Sequence, residues 1–244
     1  MERLDKILAM QGSSSRKDVK EMIKKGRVAV NGTVVKESSL KIGEEDSVTL
    51  DGVHLSLKKH IYLMLNKPQG VVSASDSDSD TTVVDLVPEE FYRSGLFPAG
   101  RLDKDTVGFV LITDDGDFAH RILSPKNHIV KTYEAKLAAP LSNEDRLMLQ
   151  NGITLSDGTT LKEAKVEISE DGDTPTVKIQ ICEGKYHQIK RMFAAAGNKV
   201  IYLKRTAMGG LRLDPSLPEG KCREISPEEL LKIESGKFFS DFEQ

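Results

Sequence analysis

Between Gly100 and Gly108 the chain reads Gly-Arg-Leu-Asp-Lys-Asp-Thr-Val-Gly, with Asp103 and Asp105 two apart just ahead of an apolar run. In an extended segment, residues two apart share a face, so both carboxylates would project to one side. A carboxylate there can serve as a nucleophile or as a general acid and base. A polar turn leading into a strand, with Asp103 paired to Arg101 or Lys104, accounts for the same residues. A second cluster, Glu183-Gly184-Lys185-Tyr186-His187-Gln188-Ile189-Lys190-Arg191-Met192, opens a helical pattern with cations and an amide. Taken alone, it is equally a basic, solvated helix face.

Other chemistries lack their residues. None of the 19 glycines has another two positions away, so the G-x-G of a dinucleotide-binding turn is absent. Gly95 and Gly100 have the outer spacing of a phosphate loop, but Arg101-Leu102 stands where Lys-Ser or Lys-Thr is needed. There is no C-x-x-C, no H-E-x-x-H and no G-x-S-x-G, so neither a metal site nor a serine elbow is expected. Neither Cys182 nor Cys222 has the basic or histidine setting of a reactive thiol, and both are expected to be reduced.

The elements that must position these groups follow from periodicity and punctuation. Leu4, Ile7 and Leu8 recur at helical spacing, and Ser13-Ser14-Ser15 offers an N-cap for a second helix over about 16–25. That helix puts Val19, Met22 and Ile23 on one side and Arg16, Lys17, Lys20 and Lys24 largely on the other. Residues 27–35 read as strand, Asn-Gly turn, strand, and 47–50 as a further strand ending at Asp51-Gly52. The result is a compact unit of residues 1–58, closed by a polar linker at 56–59, ahead of a larger domain over 59–244. In the larger domain strands are expected at 61–65, 107–113, 131–137 and 177–182, with helices at 118–123, 187–196 and 227–234. Short strands with interspersed helices predict an α+β fold on an antiparallel or mixed sheet.

Composition narrows the partners. With 244 residues, 38% hydrophobic and 30% charged, the chain has material for a packed core, and its longest apolar runs fall far short of the ~20 residues of a membrane span. The N-terminus MERLDKILAM lacks the apolar core and cleavage site of a signal peptide, so a cytoplasmic location is expected. Net charge is −3, yet residues 16–27 hold six basic side chains against two acidic ones, and residues 184–213 hold seven against none. Basic patches on a mildly acidic chain suit a polyanion bound at defined places.

The motifs, taken together, resemble a known family. Arg3-Leu4-Asp5-Lys6, Ser15-Arg16, Gly26-Arg27-Val28 and Val30-Asn31-Gly32 are similar to the S-four-type RNA-binding domain. Met64-Leu65-Asn66-Lys67-Pro68, the GRLDKDT segment, Asp114-Asp115-Gly116, Lys131-Thr132-Tyr133 and EGKYHQIKRM resemble the pseudouridine synthases that modify ribosomal RNA. The resemblance spans nearly the whole chain. His187-Gln188 and the segment Ala119 to Pro125 bring it nearest to the small-subunit enzymes, the large-subunit enzymes and a non-catalytic rRNA-binding protein being the competing readings. An RNA methyltransferase is disfavoured because no G-x-G is present to hold a methyl donor.

This resemblance implies a pseudouridine synthase fold, mixed but mainly antiparallel, and an isomerisation that needs no cofactor. It implies Asp103 as nucleophile, Tyr133 stacked on the base, Leu203 packed under it, and Lys190 as the basic partner where the family more often has arginine. Tyr133 and Leu203 also have bland readings, as a strand aromatic and as plain core. Arg101 is expected to clamp or wedge the flipped-out nucleotide. Lys185, His187, Gln188 and Arg191, with Arg3, Arg16, Lys17, Lys20, Lys24 and Arg27, are expected to contact RNA. Ribosomal RNA or a pre-ribosomal particle is the expected partner, bound by a monomer.

Overall fold

The computed structural model describes residues 1–10, 15–43, 45–55 and 58–236. The chain divides into two compact units, one of residues 1–61 with 87–96 and the other of residues 62–86 with 97–244. No helix among the described residues is long and apolar enough to cross a membrane.

In the first unit, helix Leu4–Met10 is followed by helix Arg16–Lys24, which Ser15 caps. Ser15 accepts from the Asp18 N–H while the Asp18 carboxylate accepts from the Ser15 N–H, a reciprocal pair that satisfies two otherwise orphaned donors. Ser13 and Ser14 lie outside the described residues, as do Ser56 and Leu57 of the expected linker. Val19 and Ile23, four apart, are buried against Leu4, Leu8, Val28, Val30, Ile42 and Val48, leaving Arg16, Lys17, Lys20 and Lys24 exposed. The sheet has the order Thr33–Val34, Val28–Val30, Val48–Leu50, Val53–Leu55. Both of its tight turns have positive φ at their two central residues, Asn31 (50°) with Gly32 (79°) and Asp51 (51°) with Gly52 (82°). That backbone matches the twist of a hairpin, and Asn-Gly and Asp-Gly adopt it most readily.

The second unit is built on one large sheet. Its main path runs Lys165–Glu170, Thr176–Ile181, Lys131–Leu137, Val200–Met208, Val107–Thr113, Tyr62–Lys67, Cys222–Glu224. The pairing of Val107–Thr113 with Val200–Met208 is parallel, and the other ladders along this path are antiparallel. The expected mixed, mainly antiparallel α+β fold is therefore observed. Val107–Thr113 is buried at every position, which is why it reads as an unbroken apolar run rather than an alternating one. Helices Gly116–Leu123 and Pro227–Ser235 place Phe118, Ala119, Ile122 and Ile233 in one core with Met64, Phe109, Leu111 and Met208. Helix Asn143–Gln150 and strands Lys165–Glu170 and Val200–Met208 are elements that periodicity did not mark.

At the parallel pairing, Gly108 faces Arg205 with φ +98°, and a Cβ there would lie 2.4 Å from the Arg205 carbonyl oxygen. Only glycine lets the two strands approach at this point, directly downstream of the two aspartates.

Candidate active site

Asp103 lies in a turn, not in an extended segment: the Thr106 N–H donates to the Asp103 carbonyl over 3.0 Å. Several side chains and backbone groups hold this turn from behind. Lys67, the last residue of strand Tyr62–Lys67, is fully buried, and its Nζ donates to the carbonyls of Pro68 (3.1 Å), Lys104 (3.3 Å) and Thr106 (2.8 Å). Burial pulls this ammonium down to about 8, partly opposed by Asp105 and Asp103. The Gly70 N–H donates to the Lys104 carbonyl at 2.8 Å. Ser73 Oγ donates to the Leu102 carbonyl and accepts from the Leu102 N–H, both at 3.0 Å. Lys104, free of Asp103, meets Asp80 at 2.6 Å.

The turn forms one wall of a cleft of about 420 Å³, the open mouth included, lined also by Tyr133, Ile181, Leu203, Gly184, Lys185, His187 and Lys190. Tyr133, Ile181 and Leu203 come from three adjacent strands, Lys131–Leu137, Thr176–Ile181 and Val200–Met208. Asp103, Tyr133, Lys190 and Leu203, scattered over a hundred positions of sequence, thus meet in one cavity.

Lys190, on helix Gln188–Ala195, reaches both aspartates but unequally. Its Nζ hydrogen-bonds to both Asp105 oxygens, at 2.6 and 2.7 Å, and lies 3.6 Å from Asp103 Oδ2. The hydrogen bond from Lys190 holds the Asp105 carboxyl below its ordinary value. On the other side His187 Nε2 is 3.5 Å from Asp103 Oδ1. Both contacts to Asp103 exceed ordinary hydrogen-bond length, so the Lys190 charge and the His187 ring face its oxygens without tying them up. The two aspartates do share a face, through a turn and a common lysine rather than through strand alternation.

His187 sits at the helix N-cap in the left-handed region, φ 47°, and its side chain makes no cap hydrogen bond. Its ring instead stacks on Tyr186, with centroids 3.8 Å apart and planes 19° apart. Gln188 also lines the cleft. It is 4% exposed, its Oε1 accepts from the Lys185 N–H (2.9 Å), and its Nε2 donates to Glu183 Oε1 (2.8 Å). Its amide shapes the loop that presents His187. Glu183 completes the brace by accepting the Lys162 N–H at 2.8 Å.

The other cations divide into exposed and paired. Arg101 is exposed on the rim of the cleft. Lys185 donates to the Thr160 carbonyl, and Arg191 pairs with Asp157. In the first unit, Arg16, Lys17 and Lys24 are exposed, Lys20 lies 3.9 Å from Asp5, Arg3 forms a fork on Asp5 at 2.9 and 3.0 Å, and Arg27 pairs with Asp51. Arg3 and Arg27 are therefore first of all local ion pairs. Among the described residues no group of His, Cys, Asp or Glu could hold a metal ion, and both cysteines are free. Ser73 supports the turn from outside the quoted motifs, while Lys67 and Glu183 stand inside them with no supporting role read for either.

Residues 61–195 match the family described as RNA pseudouridylate synthase, and residues 2–48 match the S4 domain. The chain is 47% identical over 230 residues to YtzG of Bacillus subtilis (strain 168), an uncharacterized RNA pseudouridine synthase, covering 93% of this chain and 96% of that one. It is 41% identical over 235 residues to ribosomal small subunit pseudouridine synthase A of Escherichia coli (strain K12), covering 95% of this chain and 99% of that one. A crystal structure of a pseudouridylate synthase, 40% identical, matches with a TM-score of 0.67 over 96% of this chain and 100% of that one. This chain belongs to the RNA pseudouridine synthase family. It is an isomerase with an S4 domain at its N-terminal end.

Proposed function

We propose that the protein converts a uridine of small-subunit ribosomal RNA to pseudouridine, with Asp103 as the reacting carboxylate. The observation that carries this reading is the Asp103 carboxylate in a cleft with Tyr133 and Leu203, 3.5–3.6 Å from two nitrogen bases and hydrogen-bonded to neither. The small-subunit target is supported by the relatives at 40–42% identity that carry that name and by the His187-Gln188 dipeptide.

The reaction breaks the bond between ribose C1′ and uracil N1 and forms one between C1′ and C5. A proton leaves C5, N1 gains one, and nothing is oxidised, so no cofactor is required. The target nucleotide must first leave its stack, at a cost of roughly a few kcal/mol. Asp103 then attacks C1′ or removes the C2′ proton, and either route releases uracil as an anion held in the cleft. Tyr133 covers the detached base and assists loss of the C5 proton, with Leu203 beneath it. Lys190 presents its charge to Asp103 from 3.6 Å. Arg101, Lys185, His187 and Arg191 bear on the backbone around the site. The first domain, residues 1–58, sets affinity through Arg16, Lys17, Lys20 and Lys24, with Arg3 and Arg27, while 59–244 carries the chemistry.

Asp103→Asn tests the reading, because it deletes the charge at almost constant shape. Pseudouridine formation should vanish while RNA affinity stays within about two-fold. Turnover by the variant, shown by mass spectrometry to be free of deamidated protein, removes Asp103 from the reaction.

A further inference from the structure

Tyr186 is 75% exposed, more than any other large apolar side chain among the described residues except Met1. It belongs to a braced loop, not a loose one. The Lys185 N–H is bound by Gln188, the Lys185 ammonium by the Thr160 carbonyl, and Gln188 by Glu183. One face of the tyrosine ring is covered by His187, at 3.8 Å and 19°, and His187 in turn lies 3.5 Å from Asp103. An aromatic ring held rigidly with one face backed and the other open is preorganised for a second planar partner, and every nucleobase offers one.

We propose that the open face of Tyr186 is a stacking site for the base of a nucleotide adjoining the flipped uridine. The ring that touches Asp103 is His187, and the site lies one ring beyond it. A base placed there belongs to the neighbour of the nucleotide whose sugar faces Asp103. The stack also explains the left-handed backbone of His187, φ 47°, which no side-chain cap rewards. Stacking of this kind tolerates any base, so it fixes position along the strand rather than base identity.

The inference rests on Asp103 as the reacting carboxylate, and Asp103→Asn tests that part separately. The measurement is steady-state pseudouridine formation by the full chain, on a ribosomal RNA transcript that the unaltered protein modifies. A second transcript carries an abasic nucleotide beside the target, on its 5′ or its 3′ side. Tyr186→Ala should raise KM about ten-fold with kcat within two-fold, and Tyr186→Phe should restore KM. The abasic change on one side should raise KM for the unaltered protein and have no further effect on Tyr186→Ala. An unchanged KM in Tyr186→Ala overturns the proposal, as does additivity with both abasic RNAs. A fall in kcat alone overturns it too, making Tyr186 a prop for His187.

Discussion

Replacing Lys67 by methionine keeps the length of a buried side chain and removes its charge and its N–H donors. The Pro68 and Thr106 carbonyls lose the donor that Lys67 supplies, while the Lys104 carbonyl keeps the Gly70 N–H. An unpaired buried carbonyl costs about 1–3 kcal/mol; the Thr106 bond is buried and the Pro68 bond only partly so, and the loss amounts to roughly 1–4 kcal/mol. Against this stands the relief of an unfavourable burial. The ammonium is pulled from the ordinary 10.5 to about 8, a gap corresponding to about 3 kcal/mol. At pH 7 the two effects largely cancel, and global stability should change by no more than about 3 kcal/mol. The pH dependence separates them. Below pH 8 folded and unfolded chains both hold the proton. Between pH 8 and 10.5 the unfolded chain holds a proton that the folded chain has released, so stability rises with pH. The neutral amine still has two N–H groups for Pro68 and Thr106. The stability difference in favour of the unaltered protein should therefore widen by about 2–3 kcal/mol between pH 7 and pH 10, measured by denaturant titration. Lys131, which burial also brings to about 8, is common to both proteins and drops out of the difference. Activity should fall about 100-fold even at pH 7, because the turn carrying Asp103 loses its rear anchor and an error near 1 Å is enough. Parallel pH profiles for the two proteins refute the buried-cation account, and undiminished kcat refutes the anchoring role.

Tyr133→Phe should bind RNA normally but stall after glycosidic cleavage, and unimpaired turnover leaves the tyrosine a stacking role only. Asp105→Asn frees Lys190, whose nearer partner is Asp105, to close on Asp103. A direct hydrogen bond should lower the nucleophilicity of Asp103 and cut kcat, while an unchanged kcat shows that the Asp105 pairing does not matter. For the first domain, Lys17→Ala and Lys24→Ala should each shrink the slope of log affinity against log salt by roughly 0.7–0.9 per true phosphate contact. The modified site should not change, and a flat salt series takes that helix face out of the RNA interface.

The expected elements with local signals all appear near their expected limits. Ser15 with Asp18, Asn31-Gly32 and Asp51-Gly52 act within a few residues of themselves, so their outcome does not depend on distant chain. The apolar run at 107–113 likewise announces a strand buried on both faces. Strand Val200–Met208 gave no such signal, because Ile201 and Tyr202 are exposed while Arg205 is buried, and burial there is set by neighbouring strands.

The site divides along the same line. Sequence by itself offered the candidates, Asp103, Tyr133 and Lys190 in quoted motifs and Leu203 through the family resemblance, and all four line one cleft. Only the tertiary structure decided their relations. That Lys190 binds Asp105 more closely than Asp103 depends on where a helix 85 positions away comes to rest. That Lys67 turns inward to hold a loop 37 to 39 positions ahead, and that Glu183 accepts the Lys162 N–H 21 positions back, are likewise contacts across the fold. A charged or amide group shows its type in the sequence. Whether it meets water, a ligand or another buried group is settled by which desolvated partners the packed sheet leaves within about 3 Å of it.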